Sequence, residues 1–239
     1  MSCSRTSSPH TPPDDPPTSP GTTQFGTMVI NLNGRKTRQE EVARALLRAP
    51  RPPDFVICIE TRTRKGAKTP PWDDYTVAAH NYQTRLPNRG IEVYKHKLTP
   101  CRVTVEMASK TGDALMVRIY TSNTNFGIVV PHAPHTQKVK RMGYYMYWLR
   151  FWARVRKCMD VNRIIMMGDV NSAYRTKDRH KERPDDILYR RMCQVLGLQD
   201  LSSVVELPEN TWSCMQGGGS RIDTAAISEE SAIHICDAT

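Results

Sequence analysis

The sequence predicts an α/β fold: a four-layered sandwich in which two packed, mixed β-sheets carry helices on their outer faces. Three observations lead there. Short apolar runs rich in β-branched residues recur along the chain, and each stops abruptly at a polar residue. Helical periodicity occurs in only two or three stretches between them. Internal repeats are absent, and no stretch reads as a separately folding second domain. Adjacent strands are expected to be antiparallel as often as parallel.

At 239 residues the chain suits one domain of the larger α/β kind and can bury a core without disulfide staples. Lys and Arg number 34 against 24 Asp and Glu, a net charge of +10. That balance favours a polyanionic partner, either nucleic acid or an anionic membrane surface. The seven cysteines are odd in number, scattered, and form no C-x-x-C pair, which argues against a zinc site or a disulfide framework. No apolar run approaches the ~18 residues of a membrane span, and the N-terminus lacks a secretory pattern. An intracellular location is expected, and a monomer is assumed.

Residues 1–27 are Ser, Thr and Pro in quick succession, too poor in apolar surface to offset chain entropy. A disordered leader is expected there, and a folded domain over 28–239. Met28-Val29-Ile30 opens that domain as a strand leading to Asn31-Leu32-Asn33-Gly34. Thr37 and Glu40 have capping-box spacing, and Val42, Ala45, Leu46 and Ala49 follow at helical intervals until Pro50. Phe55–Ile59 is a buried strand ending in Glu60-Thr61. Residues 62–74, with Arg62, Arg64, Lys65 and Lys68 among Gly and Pro, read as a mobile basic loop. Strands are expected at 75–79, 91–95, 101–107, 114–121 and 126–130, with a hairpin turn at Thr111-Gly112-Asp113. Pro131-His132-Ala133-Pro134-His135 is a turn-rich strand exit. A long helix over about 138–159 would bury Trp148, Phe151, Trp152 and Val155 and expose a basic face, either solvated or tracking phosphates. After a basic loop from Arg175 to Arg183, a helix starts at Pro184, with Asp185 and Asp186 in its first turn, and ends near Gly197. Late strands begin at Asn210 and Ser220.

Between the two helices lies the apolar run Ile164-Ile165-Met166-Met167, which ends in Gly168-Asp169-Val170-Asn171. Residues at i and i+2 leave a strand on the same face, so Asp169 and Asn171 are expected to point together into one cleft. Taken alone, such a tetrapeptide is also an ordinary turn. The wider pattern gives it weight. Polar strand ends recur in order at Asn31, Glu60, Asp169 with Asn171, and Asp223.

That order resembles the endonuclease/exonuclease/phosphatase superfamily, which has the DNase I-like fold, from about Met28 to Ile227. Asn31-Leu32-Asn33-Gly34 looks like the family's N-x-N-G, Ile59-Glu60-Thr61 like its Q-E-T, Gly168–Asn171 like its G-D-F-N, and Ser220–Asp223 like its S-R-I-D. The segments around Asp178-Arg179 and Leu196–Leu201 resemble LINE-type retrotransposon endonuclease domains. The resemblance implies divalent-metal-dependent phosphodiester hydrolysis, most specifically a DNA endonuclease of retroelement type acting in the nucleus. Glu60 and Asn31 would hold Mg²⁺, with Mn²⁺ as a substitute. Asp169 would orient or deprotonate the attacking water, Asn171 hold the phosphate, and Asp223 orient a histidine. Thr211, Trp212 and Arg179 would line the substrate groove.

Two departures bear on activity. His132 stands where many members have Tyr; it would serve the phosphate or leaving group, or be structural. The family's closing Ser-Asp-His has no full counterpart in Ile233-His234-Ile235-Cys236-Asp237-Ala238-Thr239. Either Cys236-Asp237-Ala238 is a degenerate copy or the chain stops short of the motif, the reading adopted here, with His234 as a stand-in if neither holds. A phosphatase or lipid phosphodiesterase on the same fold, and a nucleic-acid-binding pseudoenzyme, are the competing expectations.

Overall fold

The computed structural model describes residues 25–32, 36–48, 51–62, 72–82, 90–122, 124–133, 142–146, 163–174, 181–204 and 223–228. Its strands are β1 (Thr27–Asn31), β2 (Phe55–Ile59), β3 (Tyr75–Asn81), β4 (Ile91–His96), β5 (Arg102–Ala108), β6 (Ala114–Tyr120), β7 (Asn125–Pro131), β8 (Ile164–Asp169), β9 (Leu198–Asp200) and β10 (Asp223–Ser228). Its helices are α1 (Lys36–Arg48), α2 (142–146) and α3 (Pro184–Leu196). β1-β2-β4-β3 form one sheet and β5-β6-β7-β8-β10-β9 the other.

The sandwich follows from alternation along fully buried strands. In β2, Phe55, Ile57 and Ile59 meet Leu115, Val117 and Ile119 of β6 and Phe126, Ile128 and Val130 of β7 in the layer between the sheets. The opposite face of β2, Val56 and Cys58, packs under Val42 and Leu46 of α1. Outside the larger sheet, Met116, Met166 and Ala226 are covered by Tyr144 and Tyr145 of α2 and by Tyr189, Met192, Cys193 and Leu196 of α3. Four layers result, as the sequence predicts.

Several details differ from the expectation. Among the described residues only β1/β2 and β7/β8 pair in parallel, while six other pairs are antiparallel. Hairpins over short turns dominate wherever no helix intervenes. α1 begins at Lys36, so Thr37 lies inside the helix rather than capping it. β9 went unforeseen: three residues directly after Gly197, itself in the left-handed conformation (φ 62°) that ends α3, are too few to show periodicity. Trp148, Phe151, Trp152, Val155, residues 1–24 of the leader expected over 1–27, the strand expected from Asn210 and the chain after Ser228 lie outside the described residues. The last part of that leader belongs to the fold instead: Phe25 packs against the inter-sheet core and Thr27 opens β1.

Candidate active site

The two parallel pairs bring four strand exits to one edge. β1 and β8 end at Asn31 and Asp169, and Glu60 and His132 directly follow β2 and β7; the carboxyl ends of such strands are where open α/β sheets bind ligands. Alternation explains three of the four. Val29 of β1 and Ile165 and Met167 of β8 pack into the inter-sheet core, so Asn31 and Asp169 leave their strands on that face; His132 follows Val130 in the same way. Asn31 Nδ2 accordingly reaches Asp169 Oδ2 at 3.4 Å across the sheets, and His132 bridges to Asp169 through the backbone.

Glu60 is the exception. Ile59 faces the core, so strict alternation would send Glu60 to the outer face. Its backbone instead turns left-handed, φ 54°, and its Oε1 lies 3.0 Å from His132 Nε2. Glu60, Arg62 and Asn171 are the non-glycine residues with positive φ among the described ones, and all three stand at these exits. Conformations of that kind cost of order 1 kcal/mol or more and persist where surrounding structure enforces them, commonly at functional sites. Gly90 (φ 125°) supports the Glu60 turn: its carbonyl accepts the Thr61 N–H at 3.2 Å, and a Cβ there would meet Thr61 Oγ1 at 2.7 Å.

One donor atom each from Glu60, His132 and Asp169 falls within a single group, all within 4.8 Å of one another. His132 and Asp169 are buried and Glu60 partly so. The two carboxyls are driven apart electrostatically. Burial pushes Glu60 up, but the hydrogen bond and charge of His132, the Asn31 amide and Arg62 together outweigh it and hold its carboxyl below the ordinary value. Burial also pushes Asp169 up, and Glu60's charge adds to it. Here His132, the Asn171 N–H and Asn31 do not compensate, and the carboxyl stays raised. A pair split in this manner gives one carboxylate for binding cations and one suited to exchanging a proton. The set is mainly oxygen with one imidazole nitrogen, and it fits a divalent cation of the Mg²⁺ or Mn²⁺ type.

Asn171 corrects the simple two-residue picture. It has already left the strand (φ 51°), is buried, and donates Nδ2 to Ala133 O at 2.7 Å, while its N–H reaches Asp169 Oδ1 at 3.1 Å. It therefore ties the β7 exit to the β8 exit. The turn is held from below by groups the sequence did not single out for the site: Tyr145 Oη donates to Val170 O, Asp185 lies 3.4 Å from Ser172 Oγ, and Asp186 accepts the Ala173 N–H at 2.7 Å. Asp186 also accepts the Arg183 N–H at 2.7 Å at the start of α3. Only the closeness of Asp185-Asp186 to the Gly-Asp motif hinted at this.

β10 runs antiparallel to β8 with Asp223 opposite Asp169, so the backbone delivers Asp223 to the same edge; its side chain lies outside the described residues. Arg179, Thr211, Trp212 and His234 lie outside them as well.

Comparison with family models and with curated proteins finds no match. Solved structures do match. The endonuclease domain of TRAS1, a telomere-specific non-LTR retrotransposon, superposes with TM-score 0.64 at 16% identity, covering 86% of this chain and 85% of that one. The AP endonuclease LMAP from Leishmania major gives 0.70 at 16%, covering 89% and 81%. A Neisseria 3′ phosphatase bound to product DNA hairpin gives 0.65 at 15%, covering 90% of each. With two mixed sheets packed face to face and helices outside, this chain has the DNase I-like α/β sandwich fold.

Proposed function

We propose that the chain is a divalent-metal-dependent phosphodiesterase acting on DNA, an endonuclease of retroelement type. The observation carrying this reading is the group formed by Glu60, His132 and Asp169 at the carboxyl ends of β2, β7 and β8, with Asn31 beside it. Phosphodiester hydrolysis needs the phosphate charge neutralised, a water readied, and the new charge met by preorganised donors. A bound divalent cation, held by Glu60, Asn31 and neighbouring donors, would supply the first. Asp169, whose burial raises its proton affinity, takes the proton of the attacking water. Asn171 keeps the two exits in register, and the remaining hydrogen of its amide would reach for the phosphate. Asp223 arrives opposite Asp169 to orient an imidazole, with Arg179, Thr211 and Trp212 along the groove. The net charge of +10 supports a nucleic-acid substrate. No helix among the described residues is long and apolar enough to cross a membrane. An intracellular, nuclear place of action goes with a retroelement nuclease.

The similarity to the Neisseria 3′ phosphatase favours a second reading, removal of phosphate from a DNA 3′ end. Conversion of supercoiled plasmid to nicked circles, run beside phosphate release from 3′-phosphorylated DNA and from inositol phosphates, separates the two. Nicking that needs Mg²⁺ or Mn²⁺ and is lost in Glu60→Gln is the expected result. Phosphate release without nicking would replace the endonuclease reading, and neither activity would leave a DNA-binding pseudoenzyme.

A further inference from the structure

We infer that His132 is itself a metal ligand beside Glu60, and that its imidazole makes the site select a transition-metal cation of the Mn²⁺ or Co²⁺ class over Mg²⁺. The inference rests on the proposed metal-dependent hydrolysis and names the ion which that site prefers. His132 Nε2 and Glu60 Oε1 are 3.0 Å apart. Two ligands at right angles around one ion, with bonds of ~2.1 Å, stand ~3.0 Å apart. An ion could therefore replace the hydrogen bond between them with little movement of either side chain. Asp169 lies within the same 4.8 Å group, where it would face a water beside the ion. His132 is 6% exposed, and its buried Nδ1 has no hydrogen-bond partner among the described residues. No acceptor or donor among the described residues fixes the tautomer at Nδ1, and with the proton on Nδ1 the Nε2 lone pair faces Glu60.

The chemistry then discriminates. Mg²⁺ is hard, holds its waters and takes one or two carboxylates, so an imidazole adds little to its binding. Mn²⁺ and Co²⁺ accept nitrogen as well as oxygen, and affinity for a mixed N/O set rises along the first transition row. A site built from Glu60 and Asn31 alone would lack that bias. His132 introduces it.

The test uses the full chain stripped of metal, titrated calorimetrically with MnCl₂ and with MgCl₂, and the electron-spin-echo modulation of its Mn²⁺ complex. Expected are Mn²⁺ binding at least about tenfold tighter than Mg²⁺, and a directly bound ¹⁴N that changes to ¹⁵N in protein labelled at histidine. The spectroscopy needs no variant, so a misfolded mutant cannot decide the matter. In His132→Gln, Mn²⁺ affinity should drop about tenfold or more while Mg²⁺ affinity stays within about threefold. Mn²⁺ bound without nitrogen coupling overturns the inference and leaves the hydrolysis reading standing. So does His132→Gln tightening both metals, which would make His132 a competitor for Glu60. Failure of both metals to bind, or Glu60→Gln binding both as well as the parent, would sink the metal-dependent reading underneath.

Discussion

Asn31 donates its side-chain amide to Asp169 Oδ2 at 3.4 Å, joining the last residue of β1 to the last residue of β8 across 138 positions and across the two sheets. The bond exists because parallel pairing in each sheet points two carboxyl ends at the same edge, and because both residues have core-facing parity. It also reaches a buried carboxyl, Asp169, whose charged form burial disfavours.

The Asp169 carboxyl binds its proton more tightly in the folded chain than in the unfolded one, through burial and the nearby Glu60 charge. Its contribution to stability is thus fully present below the unfolded-state value and is lost as pH rises through the folded one. At neutral pH, with metal removed by chelator, ionised Asp169 is a cost. Asp169→Asn keeps an oxygen for the Asn171 N–H and removes the charge. Its melting temperature should exceed the parent's at pH 7, the gap closing as pH falls through the raised folded-state value towards the ordinary 3.8. A variant less stable than the parent at pH 7 would show that hydrogen bonding to the carboxylate outweighs its burial.

Gly168 fixes how closely β8 passes the β7 exit. A Cβ there would stand 2.3 Å from Pro131 O, a backbone atom with no freedom to withdraw. Gly168→Ala should cost about 2–3 kcal/mol, in the range for forced overpacking, and weaken Mn²⁺ binding as His132 and Asp169 are pushed apart. Urea unfolding with the slope unchanged would measure the first, and calorimetry the second. Stability within about 0.5 kcal/mol of the parent, the range of ordinary surface substitutions, would refute it.

Much of this site was legible in the residues. Each of the strands ending in Asn31, Glu60 and Asp169 is an apolar run that stops at a polar group, and alternation places two of those three side chains correctly. Glu60 could be picked out but not aimed, because its direction comes from a left-handed backbone turn supported by Gly90, a long-range partner. His132 was open between a catalytic and a structural part, since only tertiary approach shows that it meets Glu60. The predominance of antiparallel pairing was equally hidden, because a strand's own pattern does not report its neighbour's direction.

Asp186 is a buried carboxylate serving two backbone donors, Ala173 N–H and Arg183 N–H, both at 2.7 Å. It fastens the turn after Asp169 to the start of α3. Asp186→Ala leaves both donors without that acceptor and should cost about 3 kcal/mol; Asp186→Asn, which keeps one oxygen, should cost about half. Chemical denaturation of the two variants measures the order. Equal losses would mean that packing rather than hydrogen bonding holds the turn.

Binding and turnover should separate. Affinity for DNA rests on Lys and Arg contacts with phosphates, in a chain of net charge +10, so log K should fall linearly and steeply with log salt concentration. Turnover rests on the group at the strand exits. Glu60→Gln removes one negative charge near the substrate and the carboxylate that His132 and Asn31 hold ionised. Its DNA affinity should match or slightly exceed the parent's, with the same salt slope, while plasmid nicking falls by at least about a hundredfold, the scale on which electrostatic catalytic groups act. Filter binding across a salt series and a nicking time course on the same preparations supply both readings. Nicking retained at the parent rate would exclude Glu60 from catalysis, and affinity lost in parallel with nicking would mean the substitution had damaged the fold.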